Sequence, residues 1–197
     1  MYDKLREYTI VLGSGSPRRK YLLEQMGLSF SVKVNKSLKE TWPDGLSKLE
    51  IPVYLAELKA VHIMDTVPEN TLLITADTIV WMEGRVINKP ADRKDAFNML
   101  KQLSGNMHEV LTGVCFRISG KKHSFHASSL VWFASLTDTE INYYIDHYKP
   151  FDKAGAYGIQ DWIGYIGVEK IEGSYFNVMG LPLQRMYHEL KSFIGDE

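Results

Sequence analysis

The chain is short of the residues that staple or metallate a fold. One cysteine, Cys115, excludes an internal disulfide framework and a cysteine-based zinc site. The histidines, His62, His108, His123, His126, His147 and His188, are scattered, and no HExxH pair sets two of them on one helix face. Charge of either sign is nearly cancelled, with 23 basic and 24 acidic side chains and a net charge of -1. That balance gives no basic field for tight, non-specific nucleic-acid binding. No apolar run approaches the ~20 residues that cross a bilayer. The segment Met1 to Glu7 is charged and lacks an apolar signal core. The expectation is a cytoplasmic protein with neither nucleic acid nor membrane as partner. Three motifs are missing too: the GxxxxGK[ST] phosphate loop, the GxGxxG dinucleotide turn and the GxSxG nucleophile elbow.

What is present is a globular composition, 45% hydrophobic and 24% charged. At 197 residues, without repeat, low-complexity tract or linker, it reads as a single domain over residues 1–197. Tyr8 to Leu12 reads as a buried strand, followed by Gly13-Ser14-Gly15-Ser16-Pro17 and a helix from Arg18 to Met26. Ser16 suits its cap, Pro17 its first turn and Gly27 its end. Phe30 to Val34 alternates like a strand, and Asn35 to Lys48 reads as a surface loop. A helix follows from Pro52 to Met64, then a strand from Leu72 to Thr75 ending at Ala76-Asp77-Thr78. Ile79 to Met82 and Arg85 to Ile87 flank a tight turn at Glu83-Gly84.

Asp92 to Leu103 has a helical apolar face, and His108 to Ile118 and His123 to Ala134 read as long strands. Thr137 and Glu140 have capping-box spacing ahead of a helix through Tyr148. Pro150 to Gly167 reads as a loop, Val168 to Ile171 as a strand, and Gly173 to Asn177 as a turn. The last helix starts at Pro182, with Leu183, Met186, Tyr187, Leu190 and Phe193 as its buried face. Strands interleaved with helices and hairpins indicate an α/β protein with a mixed sheet.

The sharpest chemical feature is Ser14 to Arg19. Unpaired N–H groups at a helix start attract anions. Arg18 and Arg19 sit where basic side chains oppose the helix dipole, a placement that a bound anion offsets. The bland alternative is a solvated basic turn with an ordinary cap. Asp77 ends an apolar strand, where open α/β sheets place ligand groups, and a carboxylate there can hold Mg²⁺ or orient water. It can equally cap the local turn. Lys59 and Lys89, each unremarkable alone, join the two arginines and Asp77 as a set suited to phosphoryl chemistry. Glu40 offers a second carboxylate from the polar loop. Gln160, in Lys153 to Gln160 (KAGAYGIQ), carries an amide that can read a base edge. Tyr157 can stack or serve the core, and Asn177 can be structural or pocket-lining.

These residues carry a family likeness. SGSPRR at Ser14 to Arg19, LAELKA at Leu55 to Ala60, ITADT at Ile74 to Thr78, NKP at Asn88 to Pro90, HEVLTGV at His108 to Val114, DKAGAYGIQ at Asp152 to Gln160 and GSYFNVMGLP at Gly173 to Pro182 follow one another along the chain. Together they resemble the Maf family of nucleoside triphosphate pyrophosphatases over nearly the whole length. The resemblance implies an α/β fold of the Maf and inosine triphosphate pyrophosphatase kind. Its features are an extended mixed central sheet flanked by helices, two lobes with a cleft, and a homodimeric state. It implies hydrolysis of a nucleoside triphosphate between the α and β phosphates, with Mg²⁺ or Mn²⁺ as cofactor. Asp77 takes the role of catalytic base and metal ligand, and Glu40 that of second metal ligand by position. Ser14, Ser16, Arg18, Arg19, Lys59, Thr78, Lys89 and Gln160 take substrate-binding roles. Arg18, Thr78 and Gln160 match the branch that acts on dTTP and UTP.

Two departures stand out. Asp161-Trp162 replaces the more usual glycine after the glutamine, next to the base-selective position. Gly13 replaces an alanine before the phosphate turn, which is expected to loosen packing. Rival readings are a non-catalytic nucleotide-binding regulator linked to cell division, and a phosphohydrolase that releases inorganic phosphate.

Overall fold

A computed structural model describes residues 2–195. In chain order the elements are α1 (Tyr2–Leu5), β1 (Thr9–Leu12), α2 (Pro17–Gln25), β2 (Ser31–Val32), α3 (Glu50–Met64), β3 (Thr71–Met82), β4 (Arg85–Ile87) and α4 (Arg93–Leu103). There follow β5 (Met107–Ile118), β6 (Lys121–Phe133), α5 (Asp138–Tyr148), α6 (Trp162–Gly167), β7 (Val168–Glu172), α7 (Tyr175–Met179) and α8 (Leu183–Phe193). The strands form one mixed sheet in the order β2-β1-β3-β5-β6-β7, with β4 beside β3. β1 runs parallel to both β2 and β3, while β4 returns antiparallel to β3 and β7 antiparallel to β6.

The chain divides into two compact units. The first gathers the chain up to Asp77, Thr112–Ala127 and the chain from Gly180 onward; the second gathers Thr78–Leu111 and Ser128–Met179. In the first unit, Val11, Ala56, Ala60, Ile63, Leu73 and Cys115 form one buried cluster, which gives Cys115 the role of a small apolar filler. The start of β3 pairs with β1 in register Thr9 to Thr71 through Leu12 to Ile74. β3 is buried almost throughout, as a strand packed on both faces should be, so its apolar run does not alternate. In the second unit, the capping box starts α5 as its spacing predicts. Glu140 N–H donates to Thr137 Oγ1 at 3.3 Å and Thr137 N–H donates to Glu140 Oε2 at 2.7 Å. A buried aromatic trio, His108, Phe133 and Tyr157, packs edge to face with centroids 5.0–5.3 Å apart.

Five expectations need correcting. β3 does not end at Asp77 but continues through Thr78 to Met82. The strand at Phe30 to Val34 shrinks to Ser31–Val32, both exposed, because its alternation buries nothing. Pro150 to Gly167 is not a plain loop: it holds 3-10 turns at Pro150–Asp152 and Ala154–Ala156, then α6. Gly173 to Asn177 is not a closing turn, since Tyr175–Met179 is helical. Tyr187 is exposed, lying off the face formed by Met186, Leu190 and Phe193.

Gly13 gives a sixth correction. A Cβ on Gly13 would lie 2.6 Å from Thr75 Cγ2 and 2.9 Å from Ile63 Cδ1. The glycine therefore tightens the approach of the turn to β3 and α3, because neighbouring side chains already fill the space of a methyl group.

Candidate active site

The first unit builds its charged group from the end of β1 outward. Gly13 N–H donates to Ile74 O at 2.8 Å, which anchors the turn to β3. Ser16 caps α2, accepting from Arg19 N–H at 3.4 Å, and Pro17 occupies the first turn. Arg19 turns inward and is 8% exposed. Its Nε donates to Gly180 O at 2.8 Å and its Nη1 donates to Ser14 Oγ at 3.1 Å. Ser14 is itself buried, and its hydroxyl also accepts from Ser16 N–H at 3.3 Å. Ser14 thus shapes the turn and fixes the guanidinium. Arg18 is half-buried.

Three residues converge beside this turn. Lys59, on α3, places Nζ 2.5 Å from Asp77 Oδ1 and 3.0 Å from Glu40 Oε2. The Lys59 and Asp77 side chains are 12% and 11% exposed, and Glu40 is more open. Such a half-buried, charge-assisted arrangement is stronger than a surface pair. Burial pushes the Arg19 guanidinium below its ordinary value; Asp77 raises it, Arg18 lowers it further, and Glu40 raises it. The loop carrying Glu40 has no regular structure, and the ion pair to Lys59 ties it to this group.

The donor set suits a hard divalent cation. Two carboxylates already meet at one positive point, and Mg²⁺ is ordinarily held by one or two carboxylates with phosphate and water oxygens. Among the described residues no group of three His, Cys, Asp or Glu side chains could hold a metal.

The second unit holds the other candidates. Thr78 follows Asp77 directly on β3 and is half-buried. Lys89 is exposed beyond β4, and Gly155 N–H donates to the neighbouring Asn88 O at 3.1 Å, tying NKP to KAGAYGIQ. Gln160 is half-buried, and its Nε2 donates to Asp161 Oδ1 at 2.8 Å. Two residues left open by the sequence are structural. Asn177 is fully buried, its Nδ2 donating to Val110 O and Ser129 Oγ, both at 3.0 Å. Tyr157 is a core residue bonded to His108 at 2.7 Å.

Sequence reasoning missed the carbonyl of Gly180 that holds Arg19, because a backbone acceptor leaves no residue-type signal. It also missed Tyr144, whose hydroxyl donates to Asp161 Oδ2 at 2.7 Å. Only the unusual Asp161 hinted at that network.

Residues 9–193 match the family model described as Maf-like protein. Among curated relatives, a dTTP/UTP pyrophosphatase of Parabacteroides distasonis is 52% identical over 193 residues, covering 98% of this chain and 100% of the relative. One of Phocaeicola vulgatus is 54% identical, covering 97% of this chain and 99% of the relative. One of Porphyromonas gingivalis is 49% identical, covering 98% of each.

Proposed function

The chain belongs to the Maf family, and from that membership we propose that it is a pyrophosphatase hydrolysing dTTP and UTP to the nucleoside monophosphate and pyrophosphate. The observation that carries this reading is the meeting of Asp77, Glu40 and Lys59 within electrostatic reach of the buried Arg19. Carboxylates for a metal and water, with fixed cations for a polyphosphate, are what in-line phosphoryl chemistry requires. Names given to relatives at about half identity support the substrate class.

In this mechanism the triphosphate lies on the Ser14 to Arg19 turn, where the N–H groups at the start of α2 and the Arg19 side chain offset its charge. Ser16 shapes that surface, and Lys59 and Lys89 add positive charge. Asp77 and Glu40 are the residues that would hold Mg²⁺ or Mn²⁺, which would neutralise phosphate charge and polarise a phosphoryl oxygen. Asp77 orients the attacking water and accepts its proton. The water oxygen bonds to the α phosphorus as the bond to the bridging α–β oxygen breaks, and the electron pair leaves with pyrophosphate. Arg18, Thr78 and Gln160 meet the pyrimidine. The cytoplasm, with its nucleoside triphosphate pool, is the proposed place of work.

The test is product analysis with purified protein, Mg²⁺ or Mn²⁺, and dTTP or UTP. Monophosphate plus pyrophosphate is the expected result. Inorganic phosphate as the product, or no turnover by folded protein, overturns it.

A further inference from the structure

We propose that Asp161 is a positioning residue that locks the Gln160 amide in one orientation and so makes it accept uracil and thymine but refuse cytosine. The inference rests on the pyrimidine-triphosphate reading above.

An unconstrained glutamine cannot make this distinction. The torsion that turns its terminal amide is broad and two-fold, so oxygen and nitrogen exchange places readily. Uracil and thymine present the O4 acceptor beside the N3–H donor, whereas cytosine presents the N4 amino donor beside the N3 acceptor. A free amide pairs with either edge by turning over.

Gln160 is not free. Its Nε2 lies 2.8 Å from Asp161 Oδ1. An ionised carboxylate only accepts, so the amide nitrogen must be the atom that faces it. Turning the amide over would set Oε1 against the carboxylate. Asp161 is fixed in turn: Tyr144 donates to its Oδ2 at 2.7 Å, and Lys153 Nζ lies 3.8 Å from the same oxygen. Tyr144 also accepts from Gly158 N–H at 3.1 Å, closing the network on the backbone. The glutamine's own backbone is held as well, since Tyr165 donates to Gln160 O at 2.7 Å.

Two details favour positioning over an ordinary helix cap. Asp161 occupies the N-cap of α6, where an aspartate usually accepts from the first-turn N–H groups, yet its side chain makes no capping bond. Both of its oxygens are directed to Tyr144 and Gln160 instead. In addition, Gly158 leaves the space that the network fills, because a Cβ there would lie 2.6 Å from both Gln160 Nε2 and Asp161 Oδ2.

The locked amide has one unused acceptor. Gln160 Oε1 is buried and has no hydrogen-bond partner. Together with the second Nε2 hydrogen, it forms an acceptor–donor pair complementary to N3–H and O4 of uracil or thymine. Cytosine would set its N4 amino group against Nε2–H and its N3 lone pair against Oε1, which fails at both positions.

The experiment measures kcat/KM for dTTP, UTP and CTP with the wild-type protein, Asp161→Asn and Asp161→Glu, alongside thermal melting of each. Asparagine keeps the size and an acceptor for Tyr144, but either end of its amide can face Gln160, so the lock opens. The expected result is a wild type that favours UTP over CTP, and an Asp161→Asn variant whose preference falls about tenfold or more with dTTP turnover largely kept. Asp161→Glu, which retains a carboxylate, restores part of the preference. An unchanged UTP-to-CTP ratio in Asp161→Asn overturns the proposal and leaves the pyrophosphatase reading standing. So does an equal loss on all substrates with a lowered melting temperature, which makes Asp161 structural only. A wild type that turns over CTP as fast as UTP also overturns it. A wild type that cleaves none of the three overturns the functional reading itself.

Discussion

The two units solve different problems with different chemistry. In the first, Lys59, Asp77, Glu40 and Arg19 form a group of full charges in which Asp77 and Glu40 act on the buried Arg19 guanidinium, partly withdrawn from water. In the second, the unit's proposed reader, Gln160, is a neutral amide set by a chain of hydrogen bonds through Asp161, Tyr144 and Gly158. Full charges act on any triphosphate, whatever its base, because phosphate presents the same oxygens in each. A dipole of fixed direction distinguishes one base edge from another and contributes little to breaking the anhydride. Reaction and selectivity should therefore be separable by mutation.

Asp77→Asn tests that separation most severely. It removes one of the two carboxylate charges from the first group while keeping the size. Turnover of dTTP and UTP should fall together by about a thousandfold or more, in the range lost with a general base, with their ratio unchanged. Single-turnover product analysis reads both numbers. A variant that loses one substrate and keeps the other breaks the comparison.

Gln160→Ala should show the converse. Without the amide, the gap between UTP and CTP should narrow about tenfold through a loss on UTP, while CTP turnover changes little. Steady-state kcat/KM values for both substrates settle it. An equal, deep loss on both would place Gln160 with the reaction rather than with the choice of base.

The two regions also differ in how far they could be read before folding. The Ser14 to Arg19 turn and the start of α2 were legible because their signals are local: a small-residue turn, a serine cap and a proline lie within six residues of each other. Asp77 and Lys59 were legible as candidates, but their 2.5 Å contact spans 18 residues and no periodicity states it. Glu40 is plainer still, since a loop without regular structure carries no pattern and only the folded chain shows where it lies. The stretch from Pro150 to Gly167 misled because its glycines and aromatics resemble those of a loop. Three of those glycines instead serve close contacts: Gly155 with φ of +70°, and Gly158 and Gly164, where a Cβ would strike a neighbour. Of the motifs, HEVLTGV and GSYFNVMGLP meet through Asn177 and Val110 as a structural tie.

The second unit carries a pH sensitivity that the charged group does not explain. His108 is 1% exposed, and burial holds its pKa down to about 4 from an ordinary 6.5. Its Nε2 shares a hydrogen bond with Tyr157, and Nδ1 is buried without a partner, so a second proton would bring an uncompensated charge into the aromatic trio. The folded pKa lies below the unfolded one, so between pH 6.5 and 4 the unfolded chain binds more protons. Stability from this residue is then complete above pH 6.5 and falls as pH drops through that window, by up to about 3 kcal/mol. Melting curves from pH 7 to 4 should show that loss, and His108→Gln should flatten it.

Gly13→Ala is the smallest test and bears on the first unit alone. The added methyl would meet Thr75 Cγ2 at 2.6 Å and Ile63 Cδ1 at 2.9 Å, so both side chains, or the turn itself, must shift. Overpacking of this kind costs about 1–3 kcal/mol, read as a lower denaturation midpoint with an unchanged slope. Thr75 is held because its Oγ1 donates to Ala56 O at 2.7 Å, so Ile63 yields more readily than Thr75 and its contact is the one a second substitution can relieve. Replacing it with a smaller residue in the double variant Gly13→Ala with Ile63→Val should recover part of the loss. If Gly13→Ala alone is neutral, the turn has slack and does not hold Arg19 rigidly. If it is destabilising and Ile63→Val rescues it, the close approach of the turn to α3 is what fixes the start of α2.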